Sequence, residues 1–220
     1  MMNDIIFDCN SNNPLSCKDD WDLILTEFEN PLPEPKLVTV EIKGSDSILD
    51  LSETLTGDVL YNNRKIKLTF EMMDISDYNQ LITTIANKIH GRNVTFQFAN
   101  DDKYYYTGRA TISKWECSKQ RGKVVIDVDA YPYKYAKYLS TYKVEVSGQK
   151  QVIIMTDTRG KVQPTIKVTG TVTIIQSKND FEITLETGTY KVPEIVFKSS
   201  NSFVFDGEGT VVFEYRAEVF

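Results

Sequence analysis

Lys65-Ile66-Lys67-Leu68-Thr69-Phe70-Glu71-Met72 alternates without a break, with Ile66, Leu68, Phe70 and Met72 on one side and Lys65, Lys67, Thr69 and Glu71 on the other. A sustained period of two is the signature of a strand that turns one face to a core and the other to water. The period then switches. Tyr78, Leu81, Ile82, Ile85 and Ile89 recur at spacings of three and four, which predicts a helix over about 76–90. Asp74 or Ser76 would cap its start, Gly91 would stop it, and Lys88 suits the dipole at its C-terminal end.

Downstream of the helix, Val94-Phe98, the aromatic run Tyr104-Tyr105-Tyr106, Ile112-Trp115 and Val124-Val128 are each bounded by Gly, Asn or Asp. They read as antiparallel strands joined by short turns, with a hairpin from about Gly108 to Ala130 that reverses at Gln120-Arg121-Gly122. Alternation forbids the three tyrosines from pointing one way, so at least one belongs to the core and one to the outer face. Upstream, Val38, Val40 and Ile42 alternate with Thr39, Glu41 and Lys43, which predicts a further half-buried strand. Residues 1–35 show no period and end in Pro31, Pro33 and Pro35, so they are expected to form an N-terminal arm or loop.

Tyr131-Pro132-Tyr133-Lys134-Tyr135 changes the texture, because proline cannot donate to a sheet ladder. It is taken as the end of a first β domain, residues 36–135. Residues 136–220 then carry about eight short β segments, among them Thr165–Val168, Val172–Ile175, Ile195–Phe197, Phe203–Phe205 and Val211–Tyr215, with Gly207-Glu208-Gly209 as a tight turn. Such spacing belongs to a sandwich or jelly roll. The expected fold class is mainly β with one short helix: an antiparallel domain with helix and hairpin, then a β-sandwich.

The 220 residues, 41% of them hydrophobic, are enough for two modest cores. No apolar run reaches the roughly 18 residues needed to span a bilayer, and Met1-Met2-Asn3-Asp4 lacks the basic start of a secretory signal, so no membrane insertion is expected. Cys9, Cys17 and Cys117 form no Cys-x-x-Cys pair, which argues against a zinc site or a disulfide framework. A net charge of −6 without a basic stripe argues against direct nucleic-acid binding.

Catalytic chemistry finds no good candidate, and no catalytic residue, metal or cofactor is expected. The single histidine, His90, has no second histidine to join in a metal site or triad and suits a helix C-terminus. Asp127 and Asp129 share a strand face, as a glycosidase pair would, but alternate with Val124, Ile126 and Val128 as a solvated side does. Asp101-Asp102 lies where a turn is expected, and Cys117 has no histidine or cationic partner beside it to lower its pKa.

Three stretches together resemble the siphophage distal tail protein family. The first is Val38-Thr39-Val40-Glu41-Ile42-Lys43-Gly44 with Ile48-Leu49-Asp50-Leu51-Ser52 and Tyr61-Asn62-Asn63-Arg64-Lys65-Ile66. The second is Ile89-His90-Gly91-Arg92 with Tyr105-Tyr106-Thr107-Gly108-Arg109, and the third is the Tyr131–Tyr135 motif. Pro164–Val168 and Gly207–Arg216 look like the first and last parts of that family's galectin-like domain. Ser47 departs from the pattern, standing where the family often has a second glycine.

The resemblance implies a structural protein and not an enzyme, a hexameric ring at the virion tail tip, assembled in the bacterial cytoplasm from a phage or prophage. Its partners would be further copies of itself, the major tail tube protein, the tape-measure protein and a tail-associated tip protein, and its role that of a baseplate hub. Polarity and position nominate Arg64, Tyr133, Lys134 and Tyr135 for the subunit interface. The alternative is a carbohydrate-binding module acting in host attachment, for which Tyr190, Phe203 and Phe205 are the expected glycan contacts.

Overall fold

A computed structural model of the chain describes residues 4–44, 46–54, 56–118, 121–177 and 181–220, so the expected turn residue Gln120 lies outside the described residues. The chain divides into two units, residues 1–134 with Phe220, and residues 135–219.

The first unit contains β1 (Ile5–Phe7), β2 (Leu15–Ser16), α1 (Cys17–Trp21), β3 (Ile24–Glu29), β4 (Thr39–Glu41), β5 (Ile48–Asp50), β6 (Arg64–Met72), α2 (Tyr78–Ile89), β7 (Asn93–Phe98), β8 (Tyr104–Cys117) and β9 (Gly122–Ala130). Its main sheet runs β2-β1-β7-β8-β9-β6-β3 through antiparallel ladders. The quoted alternation is β6, and Ile66, Leu68, Phe70 and Met72 are all buried. α2 covers that face with Tyr78, Ile82, Ile85 and Ile89. Its N-cap is Asp77, which makes no side-chain cap bond, while Asp74 accepts from the Ser76 N–H at 2.9 Å and forms a local turn. Gly91 ends the helix at φ 73° and donates its N–H to Ala110 O at 2.8 Å.

The N-terminal segment is not an arm. Ile5, Phe7, Cys17, Trp21, Leu23 and Leu25 belong to the core, and the Phe7 ring lies 6.2 Å from Trp21 and 5.8 Å from Phe96. Four short elements, β1, β2, α1 and the start of β3, build this stretch, none long enough to sustain a recognisable period. The helix missed with it, α1, is set by Ser16, whose Oγ accepts from the Asp19 N–H at 2.8 Å, and by Asp22 at φ 50°. Burial pushes the Cys17 thiol well above its usual pKa, with Asp4 and Asp20 adding to the effect. It is an inert packing group.

Nor is the segment from Val38 to Ile42 half-buried. Among the described residues β4 pairs with β5 alone, in a two-stranded ladder, and every residue of both strands is exposed.

Downstream lie β10 (Lys134–Ala136), β11 (Ser140–Ser147), β12 (Lys150–Met155), β13 (Thr165–Gln176), β14 (Phe181–Leu185), β15 (Gly188–Tyr190), β16 (Ser200–Tyr215) and β17 (Glu218–Val219). The second unit's sheet runs β11-β16-β13-β14, with β12 also on β16 and β15 also on β13. Expected pairs of short strands are therefore merged: 165–168 with 172–175 in β13, and 203–205 with 211–215 in β16. Ile195–Phe197 forms no strand of its own, only a bridge from Phe197 to Val162.

Gly207-Glu208-Gly209 is thus mid-strand and not a turn between hairpin strands. Phe203 and Phe213 would be on the order of 30 Å apart along a straight strand, yet their ring centroids are 5.7 Å apart. β16 bends back on itself at Gly207 (φ 113°) and Gly209 (φ 155°), beside Gly170 (φ 91°) of β13. A Cβ at position 209 would sit 2.1 Å from Thr169 O, so only glycine permits the approach. The bend encloses Phe197, Phe203, Phe205 and Phe213 in the second core.

Because Trp21 is a core side chain, Trp21→Ala should destabilise the first unit by about 3–5 kcal/mol, read by circular dichroism in a denaturant titration. An unchanged midpoint would return residues 5–25 to the status of a dispensable arm.

Candidate functional site

Of the four nominated interface residues, Arg64 is buried inside the first unit at 3% exposure. Its Nε donates to Pro132 O at 3.1 Å, Nη2 donates to the same oxygen, and Nη1 donates to Asn30 Oδ1 at 3.3 Å. The guanidinium lies 5.3 Å from the centre of the Tyr106 ring, whose Oη accepts from Asn30 Nδ2 at 3.0 Å. Burial lowers the Arg64 pKa from its ordinary value, with Tyr106 opposing the shift. The side chain ties the start of β6 to the Tyr-Pro motif after β9, and this positions the motif instead of presenting a charge to a neighbour.

Tyr133, Lys134 and Tyr135 are half-buried. Tyr133 meets Tyr61 edge-on at 6.1 Å, while Lys134 lies 3.7 Å from Asp101 and 4.8 Å from the Tyr104 ring centre. Tyr106 is the core tyrosine of the aromatic run, and Tyr104 and Tyr105 stay partly accessible.

Two of the three expected glycan contacts are excluded by burial. Phe203 and Phe205 are both fully buried, facing Phe213 in the second core, so neither ring is available to a sugar. Alternation had placed them on one side of a strand without saying which side. Tyr190 is half-buried and donates its hydroxyl to Glu186 O at 3.1 Å. At the glycine bend, an open groove of about 1000 Å³ is lined by Ser147, Thr169, Thr171, Glu208, Thr210 and glycines, with no aromatic platform.

Asp127 and Asp129 lie on the solvated side of β9, opposite Lys67 and Lys65 across the ladder. Asp129 pairs with Lys65 at 3.0 Å and accepts from Asn63 at 3.2 Å. Burial raises its pKa, but those two hydrogen bonds outweigh it and the net shift is downward. His90 Nδ1 accepts the Ile112 N–H at 3.1 Å, a structural role at the helix end. Among the described residues no group of three His, Cys, Asp or Glu converges to hold a metal ion.

The surface that alternation misplaced is the extension around β4 and β5. Its base is zipped by Lys36 N–H to Leu60 O at 2.7 Å and Asn62 N–H to Glu34 O at 2.8 Å. Above that, Val40 pairs with Leu49, and the Ser52 hydroxyl accepts the Val38 N–H at 2.8 Å. Asp50 accepts from both the hydroxyl and the N–H of Ser52, and these bonds lower its pKa. Leu37, Val38, Val40, Ile42, Ile48 and Leu49 are all exposed, Ile48 at 62%, and among the described residues no apolar side chain between Leu25 and Ile66 joins the hydrophobic core. So dense an apolar surface on so thin an element is of the kind that interaction sites present.

No protein-family model and no curated protein matches the sequence. Among solved structures, the crystal structure of SPP1 Dit (gp 19.1), described as a paradigm of the hub adsorption apparatus in Gram-positive infecting phages, superposes with a TM-score of 0.68. The match covers 97% of this chain and 98% of that one at 12% identity. This chain has the fold of SPP1 Dit. At that identity the likeness to Dit resides in the arrangement of elements across both units, with few side chains in common. The Dit-like fold therefore carries no residue-level assignment.

If Arg64 is the fork that holds Pro132, Arg64→Lys should lower the first unit's stability by about 1.5–3 kcal/mol, since an ammonium cannot span both acceptors. Thermal denaturation measures it, and a neutral substitution would remove the anchoring role.

Proposed function

We propose that this chain is a distal tail protein that forms a hexameric ring at the tip of a long-tailed phage or prophage tail, as a structural hub and not an enzyme. The observation that carries the reading is the end-to-end likeness to SPP1 Dit, 97% of one chain against 98% of the other, with neither having a large segment the other lacks. A fold alone does not assign a function. The ordered sequence resemblance from Val38 to Tyr135 supplies independent support, and so does an exposed apolar extension of the kind an assembling subunit presents.

In that role the ring joins the tail tube to the host-adsorption apparatus, contacting the major tail tube protein, the tape-measure protein and a tail-associated tip protein. It assembles in the host cytoplasm and ends in the virion. The carbohydrate-binding reading gains no specific observation, because two of its three aromatic contacts are buried.

Native mass spectrometry and negative-stain microscopy of the full chain at micromolar concentration test the proposal. The expected result is a closed six-chain species with a central opening. A chain that stays monomeric alone and when mixed with its tail tube partner would overturn it.

A further inference from the structure

Among the described residues β4 and β5 pair with no third strand and every residue of both is exposed, yet a two-stranded hairpin is marginal in water unless something covers it. Two complementary features point to what does. One is a strand edge to which no strand of the described residues is paired. β7 pairs with β8 only over Asn93–Phe96 against Tyr106–Arg109, and the next β8 groups are met by Arg92 O and the His90 ring. From Ser113 to Cys117 every residue is exposed, Trp115 at 57%, although β9 continues to pair with this stretch on its other side. A strand edge with an exposed indole is a site where another strand can add.

The other feature is charge. Residues 34–62 carry Glu34, Glu41, Asp46, Asp50, Glu53 and Asp58 against Lys36 and Lys43, so six negative less two positive gives −4. Among the described residues of the β8–β9 hairpin between 113 and 124, Lys114, Arg121 and Lys123 stand against Glu116, so three positive less one negative gives +2, with Lys114 2.7 Å from Glu116 and Arg121 3.1 Å from Glu71. An acidic apolar strand pair and a basic, tryptophan-bearing strand edge lie on one chain.

We propose that the β4–β5 extension of one copy adds to the Ser113–Cys117 edge of a second copy, with Val38 and Val40 against Trp115 and the acidic side chains among the basic ones. The occupant is a second copy because both complementary halves are encoded in this single sequence. The contact joins two different patches, so it is head-to-tail and repeats around a closed ring. It rests on the ring reading and names the surface that builds it. The free β8 edge is masked from unwanted pairing only once the ring has closed.

Cys117 makes the contact testable in the full chain, because it is exposed at the edge while Cys9 and Cys17 are buried. Val38→Cys, Val40→Cys and Ile42→Cys are each oxidised with diamide and run on non-reducing gels beside wild type, with ring formation followed by microscopy. At least one variant should give a ladder of linked chains that disappears when Cys117→Ser is added, and wild type should give none. In parallel, Lys114→Glu with Lys123→Glu should raise the assembly midpoint by about tenfold, and adding Glu41→Lys with Glu53→Lys to the same chain should restore it. Rings without Cys117-dependent links, and indifferent to the charge changes, would overturn the extension contact while leaving the ring reading intact. Absence of both links and rings would overturn both.

Discussion

The pairing of β6 with β9 is the constraint on which the first unit depends. It runs in unbroken register from Arg64 opposite Ala130 to Met72 opposite Gly122. On one face this sets Ile66 beside Val128, Leu68 beside Ile126 and Phe70 beside Val124; on the other it sets Lys65 beside Asp129, Lys67 beside Asp127 and Glu71 beside Lys123. A slip of one residue would carry the apolar set into water and put lysines against valines, so both faces specify the same register. Opposite charges facing each other across an exposed ladder, of which Lys65 and Asp129 close to 3.0 Å, contribute little stability singly. Their value is in excluding the wrong pairing. Everything else in the unit follows from the need to cover the apolar face, which α2 and the N-terminal elements do between them.

The second unit solves the same covering problem without a helix. β13 and β16 are long enough to supply both sides of a core, provided that both can fold over at one place. Gly170 stands opposite Gly209, and Val172 opposite Gly207, so the bend occurs in neighbouring strands at the same level. Removing side chains at that crossing lets the two backbones approach. The open groove on the outside of the bend is what that removal leaves behind. Its polar lining and lack of aromatic rings fit a corner of the fold.

The sequence made the central elements legible because they are long. Eight residues of alternation in β6 and three turns of α2 are enough to reveal a period, and both were placed within two residues. Residues 5–25 were illegible for the opposite reason: Phe7 and Trp21 are among the core's large side chains, but they belong to elements of three and five residues. The bend in β16 was misread because glycine with positive φ permits a turn and a sharp strand bend equally, and only the partner strand decides between them. Burial direction was the commonest failure. Alternation tells which residues share a face but not which face is covered, and so Val40 was expected inside and Phe203 outside, the reverse of what is found.

That reversal has a physical consequence for assembly. A chain that leaves Val38, Val40, Ile42, Ile48 and Leu49 in water forgoes their hydrophobic stabilisation, which burial against another chain would recover. With a net charge of −6, copies repel one another at long range. At physiological ionic strength that repulsion is screened beyond about 8 Å, whereas oppositely charged segments in contact are screened much less. In the proposed contact the overall charge would oppose indiscriminate approach, and the local opposition of an acidic extension to a basic strand edge would select the one approach in which attraction wins.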